Sequence, residues 1–249
     1  MLRSRSRQLA VVVALVLMLV LNLWLEAHAT DLAAAGRRGM YAQNPNAFAP
    51  HPFSFAIWLP IFVGAIGFTL FQALPQYRAN PVLDRVGTSM AAGYGLVALT
   101  ALVALPLSNI LVALALLAMV TALYAARGCD AGAGRWLVRA PAGLFTGWLV
   151  VATTLNLCQL LTSQGLVIDA RLAALLMLGA ALAGQDIVRR SGEPAVAVAI
   201  IWAFGGILAA HPGEGQLWAA AGIGLLVLAA RFQVHRPIAP ARPPVAAGP

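Results

Sequence analysis

Apolar residues run along this chain of 249 residues in long blocks, separated by short connectors that carry nearly every charge. A helix crossing hydrocarbon needs about 20 mainly apolar residues, because a lone segment satisfies its own backbone there only as a helix. That criterion predicts eight spans, at 9–25, 54–74, 86–105, 108–126, 142–162, 172–188, 194–210 and 217–232. The uncharged stretch 86–126 is too long for one span, and Leu105-Pro106-Leu107-Ser108-Asn109 supplies the turn chemistry that divides it. The last three predicted spans have only 16 or 17 residues. The expected fold is all-α, a multi-pass membrane bundle of about eight helices. Beyond the last span a tail, 233–249, carries Pro237, Pro240, Pro243, Pro244 and Pro249 and is expected to be disordered.

Polar residues inside the spans fall in stripes. In the fifth span Phe145, Trp148, Ala152, Asn156, Gln159 and Ser163 recur at three- and four-residue spacing, which places them on one helix face. Trp58, Phe62, Ala65, Thr69 and Gln72 form a similar stripe in the second. Amides disfavour lipid, so these faces are expected to turn inward. At 1.5 Å per residue and a core of about 30 Å, Trp58 and Asn156 lie roughly 8 and 9 Å below the outer boundary, and Trp148 roughly one helix diameter deeper. The expectation is a cavity with Trp58, Phe62, Phe145 and Trp148 as walls, and with Asn156 and Gln159 orienting the polar edge of a large apolar or planar ligand. Trp24, Trp136 and Trp218 fall at span ends, as belt anchors do, whereas Trp202 lies deeper.

Composition narrows the picture. The chain is 61% hydrophobic and 10% charged, with a mean hydropathy of +0.84, which excludes a water-soluble globule. All sixteen cations are Arg, against eight acids. They are scattered rather than clustered, so nucleic acid is not an expected partner. Assigned to alternate sides, the connectors and termini put thirteen Arg on the side of both termini and three, Arg37, Arg38 and Arg171, opposite. The excess marks the cytoplasmic side. Arg3, Arg5 and Arg7, the apolar run and Ala27-His28-Ala29 also fit a cleaved secretory signal. A run of about 17 residues from Leu9 to Leu25, with Trp24 near its end like an interfacial anchor, fits a retained first span better.

No Asp, Glu, Lys, Arg or His lies near the middle of any span, whereas ion-coupled carriers mark their path with intramembrane ionisable groups. The acids sit in connectors or at span ends, with no nucleophile–base pair or carboxylate dyad inside the spans, so no enzyme and no catalytic residue is expected. His28, His51 and His211 fall on the outer side and read as solvated loop residues, and Cys129 and Cys158 are too few for a disulfide framework, so no metal site is expected. Gly143 and Gly147 form a GxxxG that permits close helix approach or a homodimer.

These residues carry a resemblance. Phe55-Ala56-Ile57-Trp58-Leu59-Pro60-Ile61-Phe62, preceded by Pro50 and Pro52 and followed by Gly64 and Gly67, resembles the second helix of the TspO/MBR family, the tryptophan-rich sensory proteins related to the mitochondrial translocator protein. Gly147-Trp148-Leu149-Val150-Val151-Ala152-Thr153-Thr154-Leu155-Asn156 is similar to the family's fifth helix. The chain differs in having Phe62 where the family has Tyr, and Leu144-Phe145-Thr146-Gly147 in place of a Pro-Tyr pair before Trp148. The resemblance implies an N-terminal segment at 1–8, a five-helix core over 9–162, three additional helices over 163–232, and a bacterial inner-membrane location. It implies binding of a porphyrin, haem or sterol-like ligand in a sensory or transport role, with Trp58, Trp148 and Asn156 in the pocket. A permease or the membrane subunit of a larger transporter is the alternative.

Overall fold

The computed structural model describes residues 2–27, 44–129 and 132–230. The rest of the Ala27-His28-Ala29 motif, Arg37, Arg38 and the proline-rich tail lie outside the described residues. Among those described there is no strand, and eight long helices follow one another. They are α1 (Leu2–Ala27), α2 (Trp58–Ala73, entered through a 3-10 turn over Pro52–Ile57), α3 (Pro81–Leu99) and α4 (Leu107–Ala125). After them come α5 (Ala140–Ser163, preceded by a π-helical turn over Arg135–Arg139), α6 (Ala170–Ser191), α7 (Ala195–Ala210) and α8 (Gly215–Ala229).

Local chemistry sets the ends. Asn80 caps α3 by accepting from the Val82 and Leu83 N–H groups, with Pro81 preformed for the first turn. That cap starts α3 five residues before the predicted span, since an apolar count begins only after Asp84 and Arg85. Asp169 caps α6 through Leu172 N–H. Gly192, at φ 74°, ends α6 in the left-handed conformation that glycine tolerates best.

The first five helices close a ring in the order α1, α3, α4, α5, α2, with α2 touching both α1 and α5. Met18, Phe68, Met90, Tyr94, Met119 and Phe145 fill it and are inaccessible to solvent. Outside the ring, α7 packs along α5, and α6 and α8 pair beside it. The outer surface is apolar, with Leu59, Leu70, Leu117, Leu175 and Leu226 exposed on four helices, as lipid contact requires. Five helical stretches are long and apolar enough to cross a membrane: Arg5–Trp24, Pro52–Ala73, Leu107–Gly128, Gly132–Ser163 and Ala170–Ser191. α7 and α8 are shorter apolar helices, about 24 and 22 Å long.

The GxxxG face of α5 is filled from within the chain. A Cβ on Gly147 would stand 2.2 Å from the Val196 carbonyl oxygen, and one on Gly143 would stand 2.5 Å from Glu193 Cγ. Those two glycines let α7 lie against α5 backbone to backbone. Two ion pairs, one part-buried and one buried, hold the ends of the helices at the N-terminal side of the bundle. Arg7 of α1 pairs with Asp84 of α3 and donates to the Arg78 carbonyl at 3.2 Å. Arg139 approaches Glu193 at 3.5 Å and donates to the Ser191 carbonyl at 2.8 Å, tying the start of α5 to the α6–α7 connector.

Candidate functional site

The predicted aromatic residues of α2 and α5 meet. Trp58 is the hub: its ring stacks on Phe62 of the same helix at 5.3 Å between centroids. Across the interface it meets Phe145 at 5.7 Å and Trp148 at 6.4 Å, both edge-on. Each such pair contributes about 0.5–1.5 kcal/mol beyond the area it buries. Trp148 is 3% exposed and Phe145 1%, whereas Trp58 and Phe62 are half-buried. The cluster is therefore closed on the α5 side and accessible on the α2 side.

Trp148 lies nearer to Trp58 than depth arithmetic predicts. The predicted offset was one helix diameter, yet the rings are in edge contact. Trp58 is the first residue of α2, directly after the 3-10 turn over Pro52–Ile57, and the two indoles reach each other across the interface.

Two further aromatics join. Phe55, three residues before Trp58, packs edge-on to Trp148 at 5.7 Å, and Tyr94 of α3 stacks on Phe145 at 5.9 Å. The i, i+3 spacing of Phe55 and Trp58 was the available signal for the first. Nothing in the apolar third span set Tyr94 apart as facing Phe145. Six rings, five from α2, α3 and α5 and one from the 3-10 turn before α2, thus form one connected group.

The predicted amides sit elsewhere on the same helix. Asn156 lies eight residues beyond Trp148, about 12 Å along α5, and its Nδ2 donates to the Ala152 carbonyl at 2.9 Å. Gln159 is fully buried one turn further on. Gln72, at the other end of the α2 stripe, is also fully buried, and neither side-chain polar atom has a hydrogen-bond partner. Trp202 stands apart from the six rings, edge-on to Phe53 at 5.7 Å. Trp24, Trp136 and Trp218 project outward, Trp136 being 70% exposed. A separate groove of about 650 Å³ between α3 and α4, lined by Asp84, Arg85, Thr88, Ser89, Thr121 and Tyr124 among others, lies near the N-terminal end of α3. Among the described residues no group of three or more His, Cys, Asp or Glu could hold a metal ion.

The family model described as TSPO-like protein matches residues 8–233, from the first helix to the last. The chain belongs to the TSPO-like protein family. The match runs past Thr162, where the resemblance read from the second and fifth helices ends, and takes in α6, α7 and α8 of this TSPO-like protein. No curated protein and no solved structure matches the chain.

Proposed function

We propose that this TSPO-like membrane protein binds a flat, hydrophobic ligand of the tetrapyrrole type, porphyrin or haem, between α2 and α5, in a sensory or transport role rather than as an enzyme. The observation that carries the reading is the six-ring cluster, buried on its α5 side and half-open at Trp58 and Phe62. Edge-to-face rings such as Trp58 and Trp148 offer aromatic faces that a planar macrocycle can replace contact for contact. The rings touch one another, so a ligand enters by parting them, with Trp58 and Phe62 as the side chains free to turn. Asn156, whose amide now bonds to its own helix, supplies a polar edge toward the outer side. The arginine asymmetry supports a cell-membrane protein with both termini in the cytoplasm, and the ring cluster then opens toward the outer half of the bilayer.

The test is a titration of the purified protein with protoporphyrin IX and with haem. Trp58→Ala and Trp148→Ala are expected to weaken binding at least tenfold, whereas Trp218→Ala, outside the cluster, leaves it unchanged. Parent-like affinity in both cluster variants refutes the site.

A further inference from the structure

Residues 46–57 cross the end of the bundle before descending into α2, and their attachments go to parts of the chain that follow the fifth span. Ala47 N–H donates to the Ile168 carbonyl at 3.0 Å and His51 N–H to the Gly206 carbonyl at 2.9 Å. Trp202 Nε1 donates to the Ser54 carbonyl at 2.7 Å, and His211 Nε2 lies 3.2 Å from the Ala49 carbonyl oxygen. Contact is close enough that a Cβ on Gly206 would fall 1.7 Å from Ser54 Oγ. Phe48 and Ser54 are inaccessible beneath this attachment. Three of the four bonds end on α7 or on His211, directly after it, and the strap they hold leads straight into Phe55 and Trp58.

We propose that α7 latches the ligand site, with Trp202, Gly206 and His211 as positioning residues that hold 46–57 in place and so set how fast a ligand passes into and out of the ring cluster. The inference rests on the binding reading above and assigns the additional helices a part in it. Turning Trp58 aside still leaves Phe55 edge-on to Trp148, so clearing the Trp148 face also requires the backbone at Phe55 to shift. That backbone belongs to the 3-10 turn Pro52–Ile57, whose hydrogen bonds are of poorer geometry than those of an α-helix and yield first. The turn is free to yield only if the Ser54 carbonyl leaves Trp202 and the His51 N–H leaves Gly206. Opening the cluster and releasing the strap are therefore one movement.

Trp202→Phe is the decisive variant, since it deletes the indole N–H and keeps a ring against Phe53. Trp218→Phe is the control, its Nε1 donating at 3.2 Å to the Pro212 carbonyl within its own loop. Amide hydrogen exchange over 46–57 and the dissociation rate of protoporphyrin IX are measured on the full chain in lipid nanodiscs. Trp202→Phe is expected to raise both by about fivefold, the factor set by one neutral hydrogen bond, with Trp218→Phe at parent values. Unchanged exchange in Trp202→Phe overturns the latch, as does raised exchange with an unchanged dissociation rate. If the parent takes up no protoporphyrin, the ligand assignment fails, while the exchange comparison alone still decides whether α7 holds the strap.

Discussion

Gly147 offers the most exacting test of how α7 sits on α5. Its missing Cβ would stand 2.2 Å from the Val196 carbonyl oxygen and 2.9 Å from Ala199 Cβ. Ordinary contact begins at about 3.4 Å, so Gly147→Ala must push the two backbones apart by about 1 Å along the start of α7. Overpacking of this kind costs about 1–3 kcal/mol, and the upper end applies because backbone cannot rotate away. Two other glycines calibrate the effect. At Gly184 the nearest atom is the tip of a side chain, Ile200 Cδ1 at 2.1 Å, while at Gly205 nothing lies within 4 Å. Gly184→Ala is expected to cost about 1 kcal/mol or less, since Ile200 can change rotamer. Gly205→Ala is expected to gain up to about 1 kcal/mol from helix propensity. Denaturant unfolding in mild detergent, followed by helical circular dichroism, ranks the three. A Gly147→Ala midpoint equal to that of Gly205→Ala refutes the packing of α7 on α5.

Three other outcomes follow from buried polar groups and from one thiol. Arg139→Ala leaves Glu193 buried without its cation and is expected to cost about 3–5 kcal/mol in the same assay, whereas Arg139→Met with Glu193→Met recovers most of it. Gln72→Met, which removes an amide with no partner, is expected to be neutral or stabilising by about 1 kcal/mol; a loss of more than that shows that the amide does bond. Cys129 lies in the α4–α5 connector, on the side proposed to be cytoplasmic, while Cys158 is fully buried. A membrane-impermeant maleimide is expected to label Cys129 in inverted vesicles and not in right-side-out ones. Burial pushes the Cys129 thiol up, with Arg139 opposing. A raised value means less thiolate at neutral pH, so labelling should be slow at pH 7 and keep accelerating above the range of a free thiol.

Apolar run length made the eight helices legible, because hydrocarbon imposes both helix and length on any segment that enters it. The 86–126 stretch divides at the predicted Leu105–Asn109 turn, with α3 ending at Leu99 and α4 beginning at Leu107. Ends set by charged caps were less legible: Asn80-Pro81 starts α3 among residues that an apolar count discards. The stripe on α5 correctly joined Phe145 and Trp148 to the α2 aromatics, because i, i+3 and i+4 spacing fixes a helix face. Which ring meets which was not legible from spacing along single helices, and neither were the bonds that tie the entry of α2 to α7, residues some 150 positions away in sequence. For the same reason Trp202 could be seen to lie deep but not to hold the Ser54 carbonyl. The GxxxG reading named a close approach without its partner, since the small-residue pattern of α7 is no more distinctive than that of its neighbours.

Whether a planar ligand sits among the rings of α2 and α5 is decided by the structure of the protein bound to protoporphyrin IX. The macrocycle is expected between Trp58 and Trp148, with Phe62 turned aside and Phe145 beneath. A macrocycle seated in the α3–α4 groove or on the lipid-facing surface, with the six rings still in mutual contact, contradicts that placement.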